Sequence, residues 1–171
     1  MGECSCCSAD RAGTGDMVCQ LPAPPAAKVI ADCPVSGRRG KKVSTTTIKS
    51  MLAVSLTALR QVDYLFCDQA DCPVVYFSAD GAQTFTTAEV RERVFQKERA
   101  TDDVFVCYCF QHTPSAIRAE LLETGQSTVV ERITAGIQAG QCGCDVRNPQ
   151  GSCCLGNVSG VVKRLQHQLT P

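Results

Sequence analysis

Thirteen cysteines in 171 residues constrain this chain more than any other feature of its sequence. They stand at Cys4, Cys6, Cys7, Cys19, Cys33, Cys67, Cys72, Cys107, Cys109, Cys142, Cys144, Cys153 and Cys154. The count is odd and the N-terminus lacks the apolar segment of a secretion signal, so an oxidised disulfide framework is not expected. We instead expect a reducing, cytoplasmic environment, in which clustered cysteines serve as thiolate ligands for metal ions.

The composition argues against several classes of function. Lys and Arg number 17 and so do Asp and Glu, giving a formal net charge of zero, so no basic surface for nucleic acid is predicted. The longest apolar stretch, residues 48–59, is interrupted by polar side chains and is too short to insert across a membrane. The sequence shows no paired nucleophile and base, so we expect a metal-binding protein rather than an enzyme.

Changes in composition divide the chain into three segments. Residues 1–30 are rich in Gly, Ser, Ala and Pro without any period, which is typical of a flexible tail. Residues 31–103 alternate apolar runs with turn residues and predict a small β-rich module. Residues 104–168 have helical periodicity and predict a helical module. The predicted fold class is α+β, with the β-rich module packed on the helical module.

The predicted elements of the β-rich module are short. A tight turn at 33–37 is followed by a basic loop at 38–42. Thr47 is the predicted cap of a helix that ends near Ala53. The remaining elements are predicted strands at 63–66, 74–77 and 84–86, with a turn at 79–81.

Three helices are predicted in the second half. The first begins at Thr113 and Pro114, with the hydroxyl as cap and proline at the first helical position, and stops at Gly125. Ser127 is the predicted cap of the second helix, which Gly140 closes. The third helix begins near the last cysteine and is predicted to bury Leu155, Val158, Val161, Val162 and Leu165.

Six cysteines flank these helices in a pattern that suits an iron–sulfur cluster. Cys107 and Cys109 lie on a predicted short strand or extended segment at 105–110, directly before the first helix. Each iron of a [2Fe–2S] cluster takes two thiolates, and helix N-termini favour an anionic cluster. A zinc knuckle is the main competing interpretation. The other four cysteines follow the second helix: Cys142, Cys144, Cys153 and Cys154.

The segments VCYCF and GCDVRNPQGSCCLGNV carry a more specific resemblance. Their order, C-x-C, two helices and C-x8-CC-L-G, resembles the [2Fe–2S] domain of bacterioferritin-associated ferredoxins. Together with CPVSGRRGKKV, FCDQADCPVVYF and VFQKE, they resemble more closely the N-terminal domain of CopZ-type copper chaperones, over about residues 32–168. The resemblance implies these cluster ligands: Cys107, Cys109, Cys144 and Cys154. Cys142 and Cys153 remain as spare thiols or as alternatives to their neighbours Cys144 and Cys154.

A second metal site is predicted in the β-rich module from Cys33, Cys67 and Cys72. Cys67-x4-Cys72 directly precedes an apolar strand, and structural zinc is held by four ligands. The CopZ-like pattern has C-x-x-C at the first pair, but this chain reads Cys33-Pro-Val-Ser36, and serine is a poor zinc ligand. The fourth ligand stays open between a tail cysteine, a water molecule and an aspartate, Asp32 or Asp68. Three ordinary thiols are the competing interpretation.

The resemblance also implies a role in copper handling. It predicts a chaperone that binds Cu⁺ and passes it to a copper-exporting P-type ATPase, and we add the hypothesis that the cluster reduces Cu(II). Cys4-x-x-Cys7 has a spacing that soft Cu⁺ accepts, although a tail of thiols without a fixed partner fits equally well. The M-x-C-x-x-C domain of full-length CopZ is missing from this sequence. The alternatives are a ferredoxin-like electron carrier and a protein that sequesters or senses soft metals.

Overall fold

The structure is a computed structural model, and it describes residues 32–169. The predicted tail therefore lies outside the described residues, together with its cysteines Cys4, Cys6, Cys7 and Cys19. Within the described residues a four-stranded antiparallel sheet combines with five α-helices. This mixture of sheet and helix is the predicted α+β class. No helix in this part of the chain has the length and apolarity that a membrane span requires.

The sheet belongs to the first half of the chain. Neighbouring strands pair in sequence order, and every pair is antiparallel. The two central strands are buried on both faces, so they appear in the sequence as apolar runs without a period of two. The strands are β1 (Lys41–Val43), β2 (Tyr64–Phe66), β3 (Val74–Ser78) and β4 (Thr84–Thr86).

Strand β1 was not predicted, because its first two residues fall in the expected basic loop at 38–42. Lys41 and Lys42 are exposed on this edge strand, where charged side chains are common. Each pairs with a carboxylate, Lys41 with Asp68 at 3.2 Å and Lys42 with Asp63 at 2.8 Å. The strand is identified by its backbone pairing with β2 and not by its sequence.

Helix α1 (Thr45–Met51) starts and stops earlier than predicted. Ser44 is its cap, since the Ser44 hydroxyl accepts a hydrogen bond from the Thr47 backbone N–H at 3.0 Å. The assignment of Thr47 as cap was therefore wrong: Thr47 is fully buried in the first turn. The helix also ends at Met51 rather than near Ala53.

The second half of the chain is helical. The first predicted helix is confirmed: Thr113 accepts a hydrogen bond from the Ala116 N–H at 3.2 Å, and Gly125 closes the helix with φ +74°. Thr128 rather than Ser127 precedes the second helix, although the Ser127 hydroxyl accepts from the Val129 N–H. The helices are α2 (Pro114–Thr124), α3 (Val129–Gln138), α4 (Cys144–Arg147) and α5 (Leu155–Leu169).

Residues 107–112 form a tight turn, where a strand or extended segment was predicted at 105–110. Backbone hydrogen bonds between Cys107 and His112 close the turn at 3.1 and 3.3 Å. Gln111 has φ +56°, a left-handed conformation that non-glycine residues seldom adopt. The turn leads directly into α2.

Three apolar cores organise the described residues. One fills the space between the sheet and α1, a second lies on the opposite face of the sheet, and the third lies among α2, α3 and α5. Hydrogen bonds join the sheet half to the helical half: the buried Tyr76 hydroxyl donates to the Pro149 carbonyl at 2.6 Å. The Tyr108 hydroxyl donates to the Arg93 carbonyl at 2.7 Å and accepts from the Phe95 N–H at 3.0 Å.

Candidate metal centres

Three buried cysteines meet at one face of the sheet. Cys67 follows β2, Cys72 precedes β3, and Cys33 comes from the turn before β1. All three sulfur atoms lie within 4.8 Å of one another, and Cys33 Sγ is 3.9 Å from Cys72 Sγ. Two thiolates bound at 2.3 Å to a tetrahedral zinc ion lie about 3.8 Å apart. The spacing of this group, called the sheet triad below, therefore fits a bound zinc ion.

The turn that carries Cys33 is closed by backbone hydrogen bonds of its own. The Cys33 N–H donates to the Arg38 carbonyl and the Gly37 N–H donates to the Cys33 carbonyl, both at 2.8 Å. At Gly40 the loop approaches the sheet so closely that a Cβ atom would lie 2.5 Å from the ring of Phe77. Only glycine permits this approach, which brings Cys33 within reach of the other two sulfurs.

The sheet triad makes up half of a small core. Its apolar neighbours are three side chains on the same face of β2 and β3: Leu65, Val74 and Phe77. So small an apolar cluster contributes little burial energy, and three adjacent thiols pack without strong mutual attraction. A metal ion bound to the three sulfurs would therefore be a main stabilising element on this side of the sheet.

The electrostatics of the sheet triad also favour a cation. Burial opposes ionisation of Cys33, but hydrogen bonds from the Ser36 hydroxyl and from the backbone N–H groups of Ser36 and Val35 lower its pKa. Burial raises the pKa of Cys72, and the neighbouring sulfurs of Cys67 and Cys33 add to this rise. A bound cation would stabilise the thiolate form of all three groups.

The Ser36 hydroxyl lies beside two of the three sulfurs of the sheet triad, and this side of the site is called the Ser36 corner below. The Ser36 Oγ lies 3.4 Å from Cys67 Sγ, and the hydroxyl also hydrogen-bonds to Cys33. Neither candidate aspartate joins the sulfurs within the described residues. Asp68 pairs with Lys41, and Asp32 is exposed where its backbone bridges to Arg39.

The four predicted cluster ligands form two thiol pairs in the helical half, and no three of their sulfur atoms lie within 4.8 Å of one another. Cys107 and Cys154 contact each other in the helical core, where both are buried. Cys109 Sγ and Cys144 Sγ are 3.7 Å apart and only partly buried. The two pairs are close enough that the charge of a Cys144 thiolate helps to raise the pKa of Cys154. Each pair offers two thiolates to one metal ion, as an iron of a [2Fe–2S] cluster requires.

Backbone N–H groups already point at these sulfurs. The Gly143 N–H donates to Cys109 Sγ at 3.4 Å. Contact with the Cys154 thiol, helped by the N–H groups of Cys109 and Phe110, lowers the pKa of Cys107 to about 7. The same contact raises the pKa of Cys154, and burial raises the pKa of Cys144 to about 12. Hydrogen bonds of this kind stabilise metal-bound thiolates and tune iron–sulfur clusters.

The two spare cysteines occupy different environments. Cys142 Sγ is 4.0 Å from Cys144 Sγ and partly buried, whereas Cys153 is exposed. Cys154 is buried against Cys107, and it immediately precedes α5, where the Val158 N–H donates to its carbonyl. The choice of Cys154 over Cys153 as a cluster ligand stays a prediction.

Sequence reasoning missed the packing that supports the turn of Cys107 and Cys109. The ring of Phe110 lies against Gly136 of α3, where an added Cβ would be 2.4 Å from the ring. The Tyr108 hydroxyl ties the same turn to residues 93–95. Neither contact has a local sequence signal, because each joins residues that are distant along the chain.

Comparisons with known proteins agree with the sheet triad. Residues 30–91, which include all three of its cysteines, match the zf_CopZ family model, a zinc binding domain. The fold is similar to the X-ray structure of the Archaeoglobus fulgidus CopZ N-terminal domain, with a TM-score of 0.64 and 29% sequence identity. That alignment covers 76% of this chain and 96% of the other. The comparison with curated proteins gave no match.

The predicted resemblance to CopZ-type proteins is thus confirmed, as is the expectation of a metal-binding, zinc-type module. The bacterioferritin-associated type of [2Fe–2S] module stays a prediction. So do the cluster itself, the copper cargo and the division of the chain at about residue 103.

Proposed function

We propose that this chain is a copper-chaperone-like protein with two metal centres, zinc at the sheet triad and a [2Fe–2S] cluster at the two thiol pairs. The observation that supports it best is the sheet triad, where three buried sulfurs within 4.8 Å of one another coincide with a zinc-binding family match. Similarity to a CopZ N-terminal domain supports the copper role.

In this proposal the sheet triad is a structural zinc site. Cys33, Cys67 and Cys72 bind zinc, and the ion cross-links the turn before β1 to the ends of β2 and β3. The N–H groups around Cys33 stabilise its thiolate. The ion thereby compensates for the small apolar core on this face of the sheet.

The two thiol pairs have a different function. Cys107 and Cys154 anchor the buried side of a [2Fe–2S] cluster, and Cys109 and Cys144 hold its partly exposed side. Such a cluster supplies a one-electron couple when bound. Cys142 Sγ, 4.0 Å from Cys144 Sγ, would be a spare thiol available to a soft cation beside the cluster ligands.

Copper enters the proposal as cargo. Thiolates suit Cu⁺, and the spare Cys142 and Cys153 and the four cysteines before residue 31 are the candidate binding groups. The acceptor is a copper-transporting P-type ATPase or its metal-binding domain, by analogy with the CopZ type. No nucleic-acid partner is proposed.

Anaerobic purification with metal analysis, followed by Cu⁺ titration against a Cu⁺-specific chelator, tests this function. We expect about two irons and two acid-labile sulfides per chain, as a [2Fe–2S] cluster requires, and about one zinc. We also expect Cu⁺ binding that leaves the visible cluster absorption intact. Cluster absorption without competitive Cu⁺ binding would instead support the ferredoxin-like electron carrier.

A further inference from the structure

The ligand set of the sheet triad differs from that of a closed structural site. Closed zinc sites have four protein ligands, whereas sites that exchange ligands have three and leave one position to water or to an incoming group. Among the described residues this site offers three thiols, and the Ser36 corner holds a neutral hydroxyl. A neutral hydroxyl is a much weaker ligand for a soft cation than a thiolate.

Ser36 is partly exposed, and within residues 32–169 it borders a solvent-accessible cleft. A cleft of about 370 Å³ begins there, lined by Val35, Ser36, Arg38, Gln69, Asp71 and Cys72. Val35, which stands between Cys33 and Ser36 in the turn, is 61% exposed. The other three corners are buried sulfurs. A ligand from solution can therefore approach the metal from the side of Ser36.

We propose that the metal in the sheet triad keeps an exchangeable fourth position at the Ser36 corner, where an incoming thiolate binds and draws the metal out. This inference rests on the zinc site of the proposed function and gives that site a second property, release of its metal to thiol ligands. Thiolates from solution compete well for zinc or Cu⁺, since both cations favour sulfur over a neutral oxygen.

The step is a ligand exchange without oxidation or reduction. A bond forms between the metal and the sulfur of the incoming thiolate, and the bond between the metal and the oxygen at the Ser36 corner breaks. If the incoming group arrives as a thiol, its proton passes to the solvent. Further exchange at Cys72, which also lines the cleft, then frees the ion.

The test compares zinc release from the zinc-loaded full chain with release from Ser36→Cys, which places a fourth sulfur in the corner. A chromophoric zinc chelator reports the rate while 2-mercaptoethanol is varied. For the unsubstituted chain the rate should rise in proportion to the thiol concentration. Ser36→Cys should release zinc about tenfold more slowly or slower still, which is the scale on which changes around a metal site alter its affinity. Its release rate should not depend on the thiol concentration.

Ser36→Ala is the matched control, because it removes the oxygen without adding a ligand. It should release zinc at least as fast as the unsubstituted chain. X-ray absorption at the zinc edge gives a second readout: three sulfurs and one lighter ligand in the unsubstituted chain, four sulfurs in Ser36→Cys. Equal release rates for the unsubstituted chain and Ser36→Cys, or release that ignores thiol, would overturn the inference.

A variant with the four tail cysteines replaced by Ser tests whether one of them is the fourth ligand of the metal. If the unsubstituted chain ignores thiol but this variant becomes thiol-dependent, a cysteine among Cys4, Cys6, Cys7 and Cys19 fills the corner, and the exogenous position is contradicted. If the unsubstituted chain binds no zinc, the proposed zinc site itself fails. Metal content thus separates failure of the proposed function from failure of the exchange step.

Discussion

The sheet triad and the two thiol pairs are both built from cysteine side chains, but the two groups differ in burial and in the elements that hold them. The sheet triad is fixed by strand ends and a hydrogen-bonded turn, and its sulfurs are buried and close to one another. The thiol pairs lie on a tight turn, on the short helix α4 and directly before α5, and one pair is partly exposed. The proposed function thus places a stabilising metal where the apolar core is small, and a redox-active cluster where a larger core already supports the ligands.

The cores around the two sites support this view. Among the described residues the sheet triad shares its core with three buried apolar side chains and the partly buried Ala79, whereas Cys107 and Cys154 belong to the large core among α2, α3 and α5. Loss of metal should therefore have unequal consequences. The sheet half should depend on its ion for stability, and the helical half should keep its fold without a cluster.

The largest expected effect is the loss of stability in Cys67→Ser. The substitution removes a central ligand of the sheet triad, and structural zinc contributes on the order of 10 kcal/mol to folding in small zinc modules. We expect the free energy of unfolding, measured by urea denaturation, to fall by several kcal/mol, with loss of bound zinc. Cys153→Ser, at an exposed cysteine, is the control and should change neither. An unchanged free energy of unfolding in Cys67→Ser would contradict the claim that the sheet half depends on its metal ion for stability.

Cys154→Ser should remove the cluster while leaving most of the stability. Its thiol contacts Cys107 in the helical core, so the substitution breaks one pair of ligands. We expect the visible absorption to disappear, with a loss of about 1–3 kcal/mol for a buried polar substitution. Cys153→Ser should keep the absorption. The reverse pattern would assign the ligand to Cys153.

Gly136→Ala tests the support of the turn that carries Cys107 and Cys109. The new methyl group would collide with the ring of Phe110, and such overpacking costs about 1–3 kcal/mol. We expect lower stability and reduced cluster content. Gly160→Ala on α5 is the control: nothing lies within 4 Å of its added Cβ, so it should stabilise the helix by about 1 kcal/mol. Similar stabilisation by both substitutions would contradict the packing.

The smallest expected effect concerns the contact between the two halves. Tyr76→Phe removes the buried hydrogen bond to the Pro149 carbonyl, at a cost of about 1–2 kcal/mol. Because Tyr76 touches neither site directly, zinc and iron contents should stay unchanged. Thermal unfolding followed by metal analysis checks both statements. A variant that lost either metal would show that the two sites depend on each other through this contact.

Local signals explain which elements were predicted from the sequence. Thr113 and Gly125 mark the ends of α2 through capping chemistry, which depends on a few neighbouring residues. Ser44 and Thr47 are both acceptable caps by residue type, and only the hydrogen bond distinguishes them. β1 and α4 have three and four residues, too few for any period, and owe their form to pairing with β2 and packing on α1.

The candidate sites, like the helices and strands, were predicted where a local sequence signal exists and missed where tertiary contacts decide. Cysteine spacing and resemblance were enough to group Cys33 with Cys67 and Cys72. The corner of Ser36 required the structure, because its distance to Cys67 depends on how the turn lies against the sheet. Residues 105–110 were mistaken for an extended segment because the turn at 107–112 depends on the positive φ of Gln111, which has no signature in the sequence.

X-ray absorption at the zinc and iron edges of the anaerobically purified full chain tests the central claim most directly. The account predicts zinc with sulfur neighbours at about 2.3 Å and no metal neighbour, together with iron that has only sulfur ligands and a second iron nearby. Zinc in both cysteine groups, without iron, would contradict it, because the two thiol pairs would then form a second zinc site.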